Sequence, residues 1–142
     1  MEIKKTTDYL AIMAMDKVIF GGRDVMHLYE WKQSDVYFLY KDNEPIGCLC
    51  IKKNVKSWYI NSIGILPGFR GFGFGEYLLK FAVDEFMYSK VGKITAHIRL
   101  GNNASICLNL KQGFKIKKVI KNWYENPKED AVFIELARRE KD

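Results

Sequence analysis

The sequence predicts a single α/β domain with a mixed central β-sheet, and three observations support that fold class. Short runs rich in β-branched and aromatic residues alternate with longer runs in which apolar residues recur at helical spacing. The strand-like runs 58–65 and 94–100 are separated by a helical run, so a right-handed crossover would make these two strands parallel. The runs 36–40 and 46–52 are joined by a turn sequence and predict an antiparallel hairpin. The length of 142 residues suits one domain, 1–142, with one proper core.

The first half of the chain predicts one strand, two helices and the hairpin. Ile3 alternates with lysines in a strand at residues 1–6, and Asp8 can cap a helix that extends to about residue 18. Segment 20–34 is ambiguous because the Gly21-Gly22 pair interrupts it, and a helix is expected around residues 23–31. The turn of the hairpin falls at residues 42–45. The predicted apolar stripe of the first helix is Leu10, Ala11, Ala14, Met15 and Val18.

The second half predicts two helices between strands. A helix follows the strand 58–65 and extends to about residue 88. Residues 94–100 alternate as a strand does, and Asn102 or Asn103 then caps a helix that ends at Gly113. The runs 114–120 and 131–137 are the last two strands, so the predicted order is β-α-α-β-β-β-α-β-α-β-β. The apolar face of the first of these two helices is Leu78, Leu79, Ala82, Val83 and Phe86.

A glycine-rich segment, Pro67-Gly-Phe-Arg-Gly-Phe-Gly-Phe-Gly75, lies between the strand 58–65 and its following helix. A strand, a glycine loop and a helix N-terminus together favour phosphate, because the backbone can approach the anion and N–H groups point inward. Arg70 adds a multi-donor cation to the loop. No Gly-Lys-Ser/Thr follows the glycines, and the spacing and context differ from those of dinucleotide and kinase loops. An ordinary tight turn is the alternative interpretation.

The run Arg70-Gly71-Phe72-Gly73-Phe74-Gly75 resembles the Gln/Arg-x-x-Gly-x-Gly/Ala signature of the GNAT superfamily of N-acetyltransferases, in which this loop binds the pyrophosphate of acetyl-coenzyme A. Ile63-Gly-Ile65-Leu-Pro67 looks like the family's strand 4 leading into the loop. The segment 99–109, followed by Gly113-Phe114, is similar to the second cofactor motif, in which an Asn precedes a helix that ends in Gly-Phe. The resemblance covers roughly residues 45–137.

This resemblance implies the GNAT fold, with splayed parallel strands 4 and 5, helices on both faces of the sheet, and acetyl-CoA as co-substrate. In the family the pantetheine arm of the cofactor pairs with strand 4, whose backbone N–H also serves as oxyanion donor. An asparagine at the position of Asn102 contacts that arm, although a plain helix cap is the other reading of this residue. The residues that the resemblance assigns to the cofactor are Ile63, Gly64, Ile65, Arg70, Gly71, Phe72, Gly73, Phe74, Gly75, Glu76 and Asn102.

Three residues are catalytic candidates, because acetyl transfer needs a neutral amine, an oxyanion donor and a proton for the departing thiolate. His97 stands where the ribosomal-protein type of relative carries a glutamate base, and a pKa near 6.5 suits that task; a structural histidine is the alternative. The family's thiolate-protonating tyrosine is here Asn109, whose amide can donate a hydrogen bond but no proton. Tyr124 is the substitute candidate, with an aromatic packing residue in the last loop as its other reading.

The acceptor implied by the resemblance is a protein or peptide N-terminal amine. Trp123-Tyr124, followed by Glu129-Asp130-Ala131, looks like the end of the bacterial and archaeal protein N-terminal acetyltransferases of the ribosomal-protein-alanine type.

Three alternatives stay open. A small amine such as a polyamine is one acceptor, because the glycine loop is also similar to that of spermidine acetyltransferases. A catalytically silent, acetyl-CoA-binding regulatory domain is another function, and Asn109 is its best argument. Nucleic-acid binding is favoured only by the net charge of +6. A polycation would need acidic residues in the cleft, and the candidates are Glu30, Asp35, Glu125 and Glu129.

Composition limits the location of the protein. Cys48 and Cys50 are two apart in a strand-like run, and with Cys107 they make an odd count without metal-type spacing. Buried free thiols in a reducing cytosol are the favoured reading, and Cys107 is expected in the core. No apolar run approaches the ~20 residues that span a bilayer, and no secretory signal follows the first residues. We therefore expect a cytoplasmic protein with no metal and no membrane partner, while the oligomeric state stays open.

Overall fold

The computed structural model describes residues 1–138, so the last four residues of the predicted domain 1–142 lie outside the described residues. The strands are β1 Glu2–Thr6, β2 Asp35–Lys41, β3 Glu44–Lys53, β4 Ser57–Ile65, β5 Lys93–Arg99, β6 Lys115–Tyr124 and β7 Glu129–Ala137. The helices are α1 Tyr9–Phe20, α2 Leu28–Lys32, α3 Phe74–Ser89 and α4 Asn103–Lys111, and a 3₁₀ turn at Pro67–Phe69 precedes α3. The predicted element order is confirmed.

The seven strands form one sheet in the order β1-β2-β3-β4-β5-β7-β6. Every neighbouring pair is antiparallel except β4 and β5, which are parallel, as the crossover through α3 requires. Helices cover both faces, because α3 packs into the larger apolar cluster and α1 and α2 pack into the smaller one. The prediction of a mixed sheet with helices on both faces is confirmed. The predicted apolar face of α3 is buried in full, at Leu78, Leu79, Ala82, Val83 and Phe86.

The strands β4 and β5 pair only over Ser57–Ile60 and Lys93–Ala96 and then separate. Beyond that point β4 stays bonded to β3 up to Ile65, while β5 stays bonded to β7 up to Arg99. The separated ends, residues 61–65 and 97–99, are called the fork below. The predicted splay of strands 4 and 5 is therefore confirmed, and each strand has a free backbone edge that faces the other.

Polar caps and tight turns set several of the element boundaries. The Asp8 carboxylate accepts a hydrogen bond from the N–H of Ala11 at 3.2 Å, and the Asn102 side chain caps α4 in the same way from Ser105 at 3.2 Å. The hairpin between β2 and β3 turns through Asp42 and Asn43, both at positive φ, which suits a two-residue turn. Within residues 1–138, no helix has both the length and the apolarity needed to cross a membrane.

The predicted stripe of α1 is right only in part, because Met15 is buried and Ala11 packs against the same cluster, but Leu10, Ala14 and Val18 are exposed. Leu10 and Val18 are 84% and 58% exposed, whereas Ile12, Met15 and Ile19 are buried against the sheet. The reason is that apolar residues occur on nearly all sides of this helix, so its sequence alone does not show which side the sheet covers.

Three smaller expectations also change. The helix expected at residues 23–31 is the single short helix Leu28–Lys32. Trp123 and Tyr124 lie at the end of β6 and not in a loop, because β6 and β7 pair as far as Tyr124 and Glu129. Cys48 and Cys50 are buried as expected, but Cys107 is exposed on α4 and does not belong to the core.

Candidate functional site

A cavity of about 500 Å³ opens at the fork. Its walls come from α1, the α1–α2 segment (residues 21–27), β4, β5, α4 and the end of β6. The structure therefore brings together side chains that are far apart in the sequence, including both the catalytic candidates and the cofactor candidates of strand 4. The predicted site residues that line it are Ile63, Gly64, Ile65, Arg70, His97, Asn102, Asn109 and Tyr124.

The glycine loop lies beside this cavity, at the N-terminus of α3. Gly71 and Gly73 have φ of +87° and +84°, a conformation that glycine adopts without steric cost. A Cβ added at either position would meet no atom within 4 Å, so both glycines border open space. No side chain caps α3, and the first N–H groups of the helix, from Phe74 onward, lack partners within the helix. Free N–H groups beside a glycine surface fit a pyrophosphate, so this part of the chain suits the cofactor.

Arg70 is bonded to the backbone of two adjoining elements that line the cavity. Its Nε donates to the carbonyl of Ile65 at 2.9 Å, and its Nη2 donates to the carbonyl of Ile19 at 2.7 Å. These bonds tie the end of β4 to the end of α1. Gly64 lies between the same elements, and an added Cβ there would overlap the side chain of Ile19. The contact of Arg70 with phosphate stays a prediction, whereas its two hydrogen bonds to the backbone of β4 and α1 are present in the structure.

His97 lies on β5 in an aromatic environment. Its Nδ1 is 2.7 Å from the Tyr59 hydroxyl, and its ring stacks on Trp123 at 4.1 Å between centroids with an angle of 5°. Phe133 on β7 lies directly opposite in the sheet and contacts the same ring at 4.9 Å. Three aromatic side chains and one hydrogen bond therefore fix the orientation of the imidazole.

The same surroundings favour the neutral imidazole. Burial lowers the pKa of His97 below its usual range, and the positive charge of Lys118 lowers it further. Burial raises the pKa of Tyr59 to about 12, so this phenol keeps its proton near neutral pH. The Tyr59 hydroxyl can accept the Nδ1–H of His97, and the lone pair of Nε2 is then available for a proton.

Asn109 and Tyr124 line the cavity from two different elements, α4 and the end of β6. Asn109 is 4% exposed, and its Nδ2 donates to the carbonyl of Ser105 at 2.8 Å within α4. The ring of Tyr124 lies under the guanidinium of Arg99 at 4.3 Å. Burial raises the pKa of Tyr124 well above its usual range, so its hydroxyl can donate a hydrogen bond but is a weak acid.

Two acidic side chains of the cavity, Asp16 and Asp24, were not predicted. Asp24 forms an ion pair with Arg99 at 2.7 Å, whereas Asp16 has no hydrogen bond or ion pair to any residue within 1–138. Burial raises the pKa of Asp16 to about 6, and the charge of Asp24 adds to that shift. A signal for Asp16 was present in the sequence, since it is the sole acid in the apolar run 9–20.

Tyr59 was missed for another reason. Its neighbour His97 is 38 positions away in the sequence, and the two meet only because β4 and β5 pair in one particular register.

Four acids proposed for the cleft are absent from its described lining, and two of them already have ionic partners: Asp35 pairs with Lys5 and Lys53, and Glu129 pairs with Arg99. The four are Glu30, Asp35, Glu125 and Glu129.

Solved structures of other proteins share this fold. Naa50 of Arabidopsis thaliana, in complex with the bisubstrate analogue CoA-Ac-MVNAL, gives a TM-score of 0.87 at 21% identity, covering 96% of this chain and 98% of that one. The ribosomal-protein-alanine N-acetyltransferase from Brucella melitensis gives 0.80 at 22% identity, covering 97% and 100%. A GNAT family acetyltransferase from Elizabethkingia anophelis with acetyl-CoA bound gives 0.80 at 17% identity, covering 96% and 97%. At these identities the likeness concerns the fold.

The family itself is established by sequence. Among proteins with curated descriptions, none matches the chain. The acetyltransferase (GNAT) family, however, matches residues 9–114, which include α1, both strands of the fork, the glycine loop and α4. Because this match spans most of the chain and every cofactor candidate, the protein belongs to the acetyltransferase (GNAT) family, whose enzymes transfer the acetyl group of acetyl-CoA to an amine.

Proposed function

We propose that the protein acetylates the α-amine of a protein or peptide N-terminus, with His97 as the group that accepts the amine proton. The observation that carries this proposal is the hydrogen bond between Tyr59 and His97 at the fork. It holds the imidazole in the cavity wall, next to the free edge of β4, where burial lowers the pKa of His97 and favours the neutral ring. Direct attack by the amine then needs only one proton acceptor near neutral pH, and a histidine with a lowered pKa meets that need.

The cofactor side of the proposal rests on the backbone. Acetyl-CoA supplies the activated acetyl group as a thioester. The inner edge of β4 at Ile63–Ile65 pairs with no strand and offers backbone groups to an extended amide chain, apart from the Ile65 carbonyl that already accepts Arg70 Nε. In this proposal one N–H of the edge serves as the oxyanion donor. The loop from Gly71 to Glu76 offers free N–H groups to the diphosphate, and Asn102 borders the cavity between them.

The departing thiolate has the weakest support in this site. One N–H of the Asn109 amide is bonded to the backbone of α4, and an amide cannot transfer a proton. Tyr124 keeps its proton because burial raises its pKa, so its hydroxyl offers a hydrogen bond and full proton transfer falls to water at the open mouth. A site of this kind predicts slow turnover without loss of cofactor binding.

The choice of an α-amine follows from proton affinity. A free N-terminus titrates near pH 7.7–8.0 and a lysine near 10.4, so a modest base leaves far more of the α-amine neutral. Tyr124 lines the cleft and Trp123 stacks on His97 beside it, so the two can offer a hydroxyl and apolar area to an extended peptide. The peptide-bearing analogue bound to Arabidopsis Naa50 and the ribosomal-protein-alanine activity for which the Brucella protein is named agree with this acceptor class.

A small cationic amine is the second candidate, and one observation favours it. Asp16 is a half-buried carboxylate in the cavity wall without a partner among residues 1–138, and it would attract an ammonium group. A silent regulatory domain is a third reading, which the amide at Asn109 supports. A cytoplasmic location stays a prediction from the sequence.

Matched acceptors separate these candidates. The protein is incubated with acetyl-CoA and a pentapeptide that has a free N-terminus and an internal lysine, with the same peptide blocked at its N-terminus, and with spermidine. Release of CoA thiol and the mass of each acceptor are measured. We expect acetylation of the free peptide at its α-amine and none of the blocked peptide. Turnover of spermidine without turnover of peptide would replace the proposal with the small-amine function, and binding of acetyl-CoA without any turnover would favour the silent domain.

A further inference from the structure

Arg99 makes the most extensive polar contacts at the cavity wall, although its side chain is only 8% exposed. Its Nε and Nη2 donate to the two carboxylate oxygens of Asp24 at 3.1 and 2.7 Å, which is a bidentate pair. Its Nη1 donates to the carbonyl of Pro127 at 2.8 Å and to Glu129 at 3.1 Å. The guanidinium face covers the ring of Tyr124. With four hydrogen bonds and a covered face, Arg99 has little capacity left for a substrate.

These contacts join two segments that are far apart in the sequence, the α1–α2 segment in the cavity wall and the β6–β7 connection next to Tyr124. Asp24 belongs to the α1–α2 segment, Pro127 lies in the β6–β7 turn, and Glu129 is the first residue of β7. Glu129 is itself held, because its second oxygen accepts the N–H of Gly101 at 2.7 Å. Arg99 projects from the last position of β5 into the gap between these segments.

The α1–α2 segment depends on this contact. Residues 21–25 are exposed, and within the segment only Met26 packs into the apolar cluster under α1. Among residues 1–138, the polar contacts of positions 21–26 are one local bond, from the N–H of Arg23 to the carbonyl of Phe20, and the pair between Asp24 and Arg99. Within the described residues, the Asp24 pair is therefore the one polar contact that ties this segment to the sheet.

We propose that Arg99 is a positioning residue for the acceptor, which sets the width of the acceptor cleft by holding the α1–α2 segment and the β6–β7 turn to the end of β5. This inference rests on the proposed function, since it concerns the same acceptor site. Arg99 contacts none of the cofactor candidates through its side chain, so its loss should impair the acceptor and spare acetyl-CoA. A displaced wall of about 1 Å is enough to lower productive acceptor binding by tenfold or more.

The chain provides a matched control in Arg138. Its guanidinium also donates to backbone carbonyls, those of Val91, Phe86 and Met87, and lies over an aromatic ring, but at the opposite end of β5. R99K and R138K each keep the charge and remove the planar fork, so both should lower the melting temperature. D24N, at a more exposed position, releases only the α1–α2 arm, and E129Q releases only the turn.

Two readouts test the inference, hydrogen exchange of the amides and steady-state kinetics with the free-N-terminus peptide. R99K and D24N should speed exchange in residues 21–27 by about tenfold, E129Q should speed it in residues 125–130, and R138K should change neither segment. R99K should raise the peptide KM about tenfold or more with a smaller change in kcat and an unchanged Kd for acetyl-CoA.

Unchanged exchange in residues 21–27 of folded R99K and D24N would overturn the inference, and so would an equal KM change in R138K. Should the wild type acetylate no peptide, the proposed function fails, while the exchange measurements still decide whether Arg99 holds the two segments.

Discussion

If acetyl-CoA binds at the glycine loop as proposed, it should raise the melting temperature by an amount that follows from the chain length. A ligand at a hundredfold excess over its Kd stabilises the native state by ~2.7 kcal/mol. For 142 residues the unfolding entropy is roughly 0.3 kcal/mol per kelvin, so the melting temperature of the wild type should rise by about 9 °C. Gly73→Leu should lose this rise, because the new side chain fills the open space in which the phosphates approach the loop.

The substitution also strains the backbone, and the control must match that strain. A side chain at φ near +84° costs roughly 1–2 kcal/mol, so the free variant should melt about 3–7 °C lower. Gly22→Leu is the control, because Gly22 has a φ of +79° and also meets nothing within 4 Å, but lies away from α3. Differential scanning fluorimetry with and without acetyl-CoA measures both effects. If wild type gains nothing, or if Gly73→Leu keeps the gain, the assignment of this loop to phosphate is wrong.

Two further predictions concern titrating groups of the cavity. His97→Ala should lower kcat by roughly 10²- to 10⁴-fold while the acetyl-CoA thermal shift is kept. In the wild type the acidic limb of the kcat/KM profile should lie below about pH 6.5, because burial and Lys118 lower the pKa of His97, and the variant should lack this limb. An unchanged limb would return His97 to a structural role. In the folded protein the pKa of Asp16, about 6, lies above its ordinary value of 3.8, so ionisation of this carboxylate costs stability as pH rises from about 4 to 6. Asp16→Asn should therefore raise the free energy of unfolding by about 1 kcal/mol at pH 8, after a discount for solvent screening, and by almost nothing at pH 3.5. Urea titrations at both pH values measure the two gains, and equal gains would contradict the assignment.

Most of the fold was predictable because its signals are local. The predicted buried face of α3 is correct, because the polar residues of this helix leave one apolar side. The cap of α4 was expected at Asn102 or Asn103, because an Asn before a helical run has that local role, and Asn102 makes it. The stripe of α1 was not predictable in the same way. Its run contains apolar residues on almost every side, and only the position of the sheet decides that Ile12 is buried and Leu10 is exposed.

The site was predictable where the chemistry belongs to the backbone. A glycine loop and an open strand edge are visible as sequence patterns, whereas the Tyr59–His97 bond and the Asp24–Arg99 pair join positions 38 and 75 residues apart. Such pairs depend on strand register and on the path of an irregular segment, and neither has a periodic signal. The side chains that we propose to orient the acceptor therefore lie where periodic sequence patterns predict the structure least well.

The fork explains why one sheet can hold both substrates. Residues 62–65 of β4 pair with β3 on their outer edge, and residues 97–99 of β5 pair with β7, so neither inner edge pairs with a strand. The carbonyls of Ile65 and Arg99 are bonded to Arg70 and Asn102, and the remaining backbone groups of the inner edges face the gap. Backbone N–H and C=O groups without a hydrogen-bond partner inside a cleft destabilise the folded protein, and an extended amide chain is a ligand that can bond to both kinds of group. The amide-bearing arm of acetyl-CoA can satisfy the β4 edge, and a peptide backbone can enter beside β5 past His97. On this argument the same gap in the sheet that binds the donor also aligns the acceptor amine, so substitutions that close the gap should weaken both substrates together, whereas those at Arg99 should weaken only one.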